Sequence, residues 1–341
     1  MSPAVVTSRA RWLRVLVVAL AVLCLSEVAV RARADSLIEP QLWSAPEQTY
    51  KSDQISALAE KGGASLVAVG SSTVDAAFDA HKLTPSISGR PSYNAATGGG
   101  SLPIIAGWSE FEVIPRLKPD TVIVGIVSRE MNPNDPKQQG FTRDFLASRA
   151  FRHLNGTENA MQVVEQRVED ASALFRYRTI LRQPRYIQNF LGFGDAPRNG
   201  SYASVVNSAG QYTSFLPHGF HNTPAIEKQF RSAGLYRWEL GQTERGTLSH
   251  LLRYLRANVK NVLLVSMPIT PVYVSWSPNG QADIDVFNAE MRRQADANGA
   301  KFLDTGVWPT DLFADPGHVN RAGSERFMDT INTELRRLGW R

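Results

Sequence analysis

The stretch SLVAVGSST, residues 65–73, decides how this chain is read. Ser65 to Val69 form a short apolar run between Gly63 and Gly70 with no alternation of polar and apolar positions. A run of that length bounded by glycine reads as a strand covered on both faces, as in a parallel sheet. Gly70 permits a sharp turn, and Ser71, Ser72 and Thr73 then stand where a helix would begin. Hydroxyls at such a position cap the free N–H groups of the helix. In an open α/β sheet, whose ligands bind beyond the carboxyl ends of the strands, they also stand where a reacting group would be held.

Working outward, three further runs have the same character: Thr121 to Val127, Asn261 to Ser266, and Lys301 to Asp304; Pro91 to Ala95 is a weaker one. Helical periodicity lies between and after them. Gln54 to Lys61 reads as a helix, Ile284, Phe287, Met291 and Ala295 recur at steps of three and four, and so do Phe327, Ile331, Leu335 and Leu338. Strands alternating with helices predict an α/β open sheet. From Asn132 to Gly246 no strand of this quality occurs, far more than a usual connection. Residues 132–246 are therefore expected to be an insertion, a cap over the sheet. It begins with an amphipathic helix (Met161, Val164, Val168, Ala171, Phe175) and continues in irregular loops marked by Gly192, Gly194, Pro197, Gly200, Pro217 and Gly219.

The chain has 341 residues, 43% apolar and 20% charged, which is globular composition with enough length for a sizeable core. Its formal charge of +5 is concentrated at the start, where Arg9, Arg11, Arg14, Arg31 and Arg33 stand against Glu27, four of the five net charges. The near-neutral remainder gives no electrostatic footprint for nucleic acid, so no nucleic-acid partner is expected. Three arginines precede the apolar run Val15 to Leu25, the order that translocation machinery reads. Residues 1–34 are thus a signal peptide or a membrane anchor, with Ala32-Arg33-Ala34 as an A-x-A cleavage site and residues 35–341 extracytoplasmic. Both fates fit. The single cysteine, Cys24, lies inside the apolar run, with the bulky Leu23 before it, so neither a disulfide within the chain nor a lipoprotein signal is expected.

Near the end of the chain comes Asp315-Pro316-Gly317-His318, followed by Asn320 and the last helix. A carboxylate three residues before a histidine can orient the imidazole and leave its other nitrogen free to take a proton from a serine. As an isolated motif it is equally a Pro-Gly turn. Together with the first stretch it resembles the SGNH (GDSL-like) hydrolases over residues 64–130 and 260–341. The resemblance implies a flavodoxin-like three-layer α/β/α fold and a serine-dependent ester chemistry that needs no cofactor. It puts Ser72 in the nucleophile's place, with Ser71 where the family has Asp, and matches Asp315 and His318 to the other triad members. The segment from Tyr93 to Ser101 is similar to the second block, with Gly99 the best match for an oxyanion donor and Gly98 or Gly100 as alternatives. The third block departs: Arg129 stands where the family has an oxyanion Asn, so the donor is Arg129, Ser128 or Asn132. Asn94, Ser128 and Asn132 are the expected substrate contacts.

A G-x-S-x-G elbow of the α/β-hydrolase kind is excluded by Val74 in its last position. His218 and His221 lie three apart with no further ligands nearby, so no metal site is expected. Trp276, Trp308, Tyr273 and Phe313 flank the site loops, where aromatic rings would stack on sugars or fill the core. The N-terminal segment with G-S-S and a late D-x-x-H resembles extracytoplasmic proteins of cell-envelope O-acylation, such as those of alginate O-acetylation and teichoic-acid D-alanylation. That likeness implies an ester hydrolase or O-acyltransferase for acylated carbohydrate or a small acyl ester, with a membrane acyl-transfer partner. The rival is a non-catalytic carbohydrate-binding or envelope-assembly protein on the same fold, which the missing third-block Asn favours.

Overall fold

The computed structural model describes residues 3–34, 37, 42–83, 89–192, 202, 204–235 and 237–340. Five strands make one sheet: β1 (Leu66–Gly70), β2 (Ser92–Asn94), β3 (Thr121–Ile126), β4 (Asn261–Ser266) and β5 (Lys301–Asp304). Their order is β2-β1-β3-β4-β5, and every pairing is parallel. This is the flavodoxin-type winding, whose switch point lies between β1 and β3 and opens a crevice at their carboxyl ends. Every residue of β1 and β3 is buried, which is why both read as continuous apolar runs.

The covering helices follow the periodicities of the sequence. Gln281–Ala297 buries Ile284, Phe287, Met291 and Ala295, and Arg321–Arg337 buries Phe327, Ile331 and Leu335. Each such side chain removed from water contributes about 1.5–3 kcal/mol. Gln242–Asn258 adds Leu248, Leu251, Leu252 and Leu255. The first covering helix is longer than its expected span, running Pro46–Glu60, because Pro46 suits the opening turn and Lys51 continues inward from Glu47. Gly70 is required where β1 turns into the helix Ser72–Ala77: a Cβ there would lie 2.7 Å from the Gly125 carbonyl oxygen and 2.4 Å from Val74 Cγ2.

The chain divides by contacts into two units, Leu42–Gly156 with Tyr202–Arg341, and Met1–Gln41 with Thr157–Ser201. The stretch 132–246, expected as one insertion, is divided between the two units by this grouping. Residues before 157 and after 201 belong with the sheet, whereas the middle groups with the N-terminal helix Pro3–Ala32. The amphipathic helix also stops early, at Ala171, because Ser172 breaks it and caps a new helix, Ala173–Arg176. Among the described residues its apolar face is not covered: Met161, Val164 and Val168 are all exposed. The loop signals Gly194, Pro197 and Gly200, and Asp35 at the expected domain start, lie outside the described residues.

Three buried acids, Glu47, Asp75 and Glu130, lie near the carboxyl end of the sheet. Lys51 is fully buried, with Nζ 2.6 Å from Asp75 Oδ1 and 3.3 Å from Glu47 Oε1, and it also donates to the Ala96 carbonyl. Burial pushes the Asp75 carboxyl well above its usual range, against the pull of the Lys51 charge. Glu130, just after β3, accepts from the Val127 N–H at 3.0 Å, and burial raises its pKa from 4.5 to about 7 despite Arg129 alongside.

Replacing Lys51 by Met leaves the carboxyl groups of Glu47 and Asp75 without their cation, and the expected cost is about 3–5 kcal/mol in the unfolding free energy obtained from denaturant curves. A loss below about 1 kcal/mol would show that the cluster does not hold the fold. For Glu130, the folded state binds the proton more tightly than the unfolded chain does between pH 4.5 and 7. Stability from this group is therefore complete below pH 4.5 and lost as pH rises through 7, about 3 kcal/mol in all. Glu130→Gln should flatten that decline in unfolding curves recorded at pH 5 and pH 8; an unchanged slope would assign it elsewhere.

Candidate active site

The turn after β1 separates its two serines. Ser71 is buried and serves as the cap of Ser72–Ala77, accepting from the Thr73 N–H, with its hydroxyl 3.2 Å from Thr73 Oγ1. Ser72, the first helical residue, keeps partial exposure and points its Oγ to His318 Nε2, 2.8 Å away. The two residues are 246 positions apart in the chain and meet because the sheet brings both loops to one end.

The histidine is delivered by a small hairpin, β6 (Phe313–Asp315) and β7 (His318–Val319), which pairs antiparallel with Asp315 opposite His318. Pro316 and Gly317 make its turn. Asp315 Oδ1 accepts from the N–H groups of Gly317 and His318 at 2.8 and 2.9 Å, and both carboxylate oxygens lie 2.9 Å from His318 Nδ1. Burial raises the Asp315 pKa, but His318 and these backbone donors outweigh it and hold the carboxyl below its usual range. Asn320 then fixes the hairpin, donating to the carbonyls of Asp311 and Phe313 while its own oxygen caps the last helix at Gly323.

The imidazole is clamped by two rings that the sequence did not single out. Phe215 stacks flat on it, centroids 4.0 Å apart and planes 2° apart, and Phe230 meets it edge-on at 6.1 Å. Both come from the returning half of the insertion, and no periodicity marks them. Gly317 is needed beneath Phe230, whose ring would lie 2.5 Å from a Cβ there.

Ser72 opens into a cavity of about 320 Å³ lined also by Gly98, Gly99, Gly100, Arg129, Lys137 and Phe141. The three glycines are not equivalent. The Gly98 N–H donates to Glu47 Oε2 at 3.0 Å and that of Gly100 to the Thr97 carbonyl, whereas Gly99, at φ +70°, has no acceptor among the described residues. The Ser72 amide is likewise without one. Both N–H groups belong to residues that line the cavity into which the serine opens, and free N–H donors of this kind are what an oxyanion requires.

Arg129 also lines the cavity. Its guanidinium sits 4.9 Å from the centre of the Phe230 ring, and its Nε is buried with no hydrogen-bond partner. Lys137 lies in the same wall, where burial and the Arg129 charge hold its pKa below the usual range. The other expected contacts, Asn94, Ser128 and Asn132, are not among the residues that line this cavity. Asn94 is fully buried and donates to the carbonyls of Val74, Asp75 and Phe78, so it braces the helix after Ser72. Ser128 is buried against Tyr273 Oη at 3.0 Å, and Asn132 donates to the Gly234 carbonyl. Neither lines the cavity with Ser72. Polar residues in loops give no sequence signal of which way they turn, and here the backbone groups left unpaired by the loops claim them. Tyr273, Trp308 and Phe313 are core residues rather than an exposed stacking surface. His218 and His221 have ring centres 6.2 Å apart, and among the described residues no group of three or more His, Cys, Asp or Glu gathers at one point.

Comparison with protein-family profiles and with curated proteins gives no match. Among solved structures, a catalytic mutant of an acetylxylan esterase from Geobacillus stearothermophilus is similar at 13% identity and TM-score 0.43, covering 81% of this chain and 95% of that one. A putative acylhydrolase from Bacteroides fragilis is similar at 10% identity and TM-score 0.40, over 84% of this chain and 96% of that one. An acetyl xylan esterase from Butyrivibrio proteoclasticus is similar at 10% identity and TM-score 0.31, over 81% and 64%.

Proposed function

We propose that this protein is a serine-dependent carboxylic-ester hydrolase or O-acyltransferase of the SGNH type, acting outside the cytoplasm on acylated carbohydrate. The observation that carries the reading is the continuous line from Ser72 Oγ to His318 Nε2 and from Nδ1 to Asp315. Asp315, held ionised, fixes the tautomer in which Nε2 is free to accept a proton. His318 takes the Ser72 proton as Oγ attacks the ester carbonyl, and the amides of Ser72 and Gly99 hold the developing oxyanion. The same proton passes to the departing alcohol, leaving an acyl-serine. Water or a sugar hydroxyl then gives its proton to His318 and attacks, and Ser72 recovers its proton as the acyl group leaves.

The cavity suits a short acyl group, because the Phe141 ring closes over Gly99, 3.0 Å from where a Cβ would stand. Transfer rather than hydrolysis requires an acceptor held in line and water kept out. Phe141, Tyr202 and Gln229 provide walls for that. The non-catalytic alternative draws its support from Arg129 in the position of the expected Asn.

A fluorophosphonate should label Ser72, and Ser72→Ala should abolish both the label and hydrolysis of an aryl acetate while the folded circular dichroism spectrum persists. Labelling of Ser71 would move the nucleophile. Absence of label in a folded chain would favour the non-catalytic reading. Asp315→Asn keeps the shape and removes the tautomer control, with kcat falling on the order of 10³- to 10⁴-fold. The same assay with added oligosaccharide reports transfer as acylated sugar. Arg129→Ala should lower kcat on the order of 10²- to 10³-fold if the guanidinium supports the oxyanion. A raised KM at unchanged kcat would instead make Arg129 a ground-state substrate contact.

A further inference from the structure

The helix Pro3–Ala32 has two different ends. From Trp12 to Val28 its apolar side chains are exposed, 67% at Trp12, 70% at Leu25 and 63% at Val28. These 17 positions, at a rise of about 1.5 Å each, span about 25 Å, close to the hydrocarbon thickness of a bilayer. From Val15 to Leu25 the stretch carries no charged residue, with Arg9, Arg11 and Arg14 before it and Ser26 and Glu27 after it. Such a surface fits a bilayer, and a cleavable signal would look the same over this part.

The carboxyl-terminal end is what distinguishes the two. Glu27 accepts from Ser172 Oγ at 2.9 Å, from the Ala173 N–H at 2.8 Å and from the Leu174 N–H at 2.9 Å. One carboxylate from the N-terminal helix thus satisfies the free donors at the start of Ala173–Arg176, a helix about 145 residues later in the chain. Arg31 pairs with Glu27 at 2.6 Å and donates to the Ala171 carbonyl at 2.6 Å, so it meets the end of the helix before. Val30 is 3% exposed, in a small core with Leu37, Tyr177 and Ile180, against which Ala34 also packs. A signal peptide is discarded before the mature protein has a fold, and nothing in that fold can depend on it. Here cleavage after Ala34 would strip the cap from one helix, the carbonyl partner from another, and a wall from the core that Tyr177 and Ile180 share.

We infer that the N-terminal helix is a retained membrane anchor, with Glu27, Val30 and Arg31 as structural members of the unit formed with residues 157–201. The partner of its exposed apolar stretch is the bilayer itself. This inference shares the outward orientation with the proposed function but does not rest on the ester chemistry.

The test uses the full chain, tagged after Arg341 and expressed in an exporting bacterial host. Intact mass should include residues 12–34, and the protein should stay with membranes washed in alkaline carbonate. A mature chain beginning at or near Asp35 would overturn the inference. A second measurement reads the built-in end directly: Glu27→Ala removes a charge, so insertion is not impaired, and trypsin should cut at Arg176, Arg178 or Arg182 on the order of tenfold faster than in the parent. Equal cleavage rates would overturn the structural role. Labelling of Ser72 in the same membranes reports the ester chemistry separately, so failure of that reading leaves this result legible.

Discussion

Lys51 is enclosed completely, and its ammonium is shared by Asp75, Glu47 and the Ala96 carbonyl. Those three partners belong to different parts of the chain. Asp75 lies three residues after Ser72 in the same helix, Glu47 accepts from the Gly98 amide, and Ala96 opens the glycine loop. The Tyr212 N–H also reaches Asp75 Oδ1, tying the returning insertion to the same point. A charge this buried is costly unless every partner is in place, so the cluster specifies one arrangement of these segments. Consuming the Gly98 amide is part of that arrangement, and with the Gly100 amide bound to Thr97 it leaves Gly99 as the loop amide without an acceptor among the described residues.

The other half of the site depends on a different kind of constraint. His318 sits on a two-residue strand with little sheet to hold it, so its position is set by side-chain packing. Asp315 fixes one edge of the ring, and Phe215 and Phe230 fix its plane. Phe230 in turn carries the Arg129 guanidinium on its face. Histidine orientation and the placement of the cation are therefore linked through one aromatic ring, which explains why a segment without strands is nonetheless part of the site.

Much of the fold was legible because the sheet is doubly covered. Burial of β1, β3 and β4 on both faces demands continuous apolar runs, and such runs are visible in a sequence regardless of what packs on them. Local rules mark Ser71 to Thr73 as a hydroxyl cluster at a helix start after a glycine turn, and the D-x-x-H spacing as one that lets Asp315 reach His318; the choice of Ser72 among the hydroxyls came from the resemblance. The N-terminal helix announced itself by hydropathy alone. Its fate did not, since a leader and an anchor share the same apolar stretch.

What the tertiary structure alone decided are the choices among equivalent polar or aromatic residues. Three glycines in a row look alike until Glu47 and Thr97 claim two of their amides. Asn94, Ser128 and Asn132 look like site residues until unpaired backbone groups and Tyr273 engage them. Phe215, Phe230 and Lys51 carry no pattern at all, yet they position the imidazole and the loop. Local spacing encodes local geometry, whereas which partner each donor finds depends on segments brought together from a hundred or more residues away. The same holds for Glu27: within its own helix it is an interruption in an apolar run, and only the arrival of residues 172–174 makes it a cap.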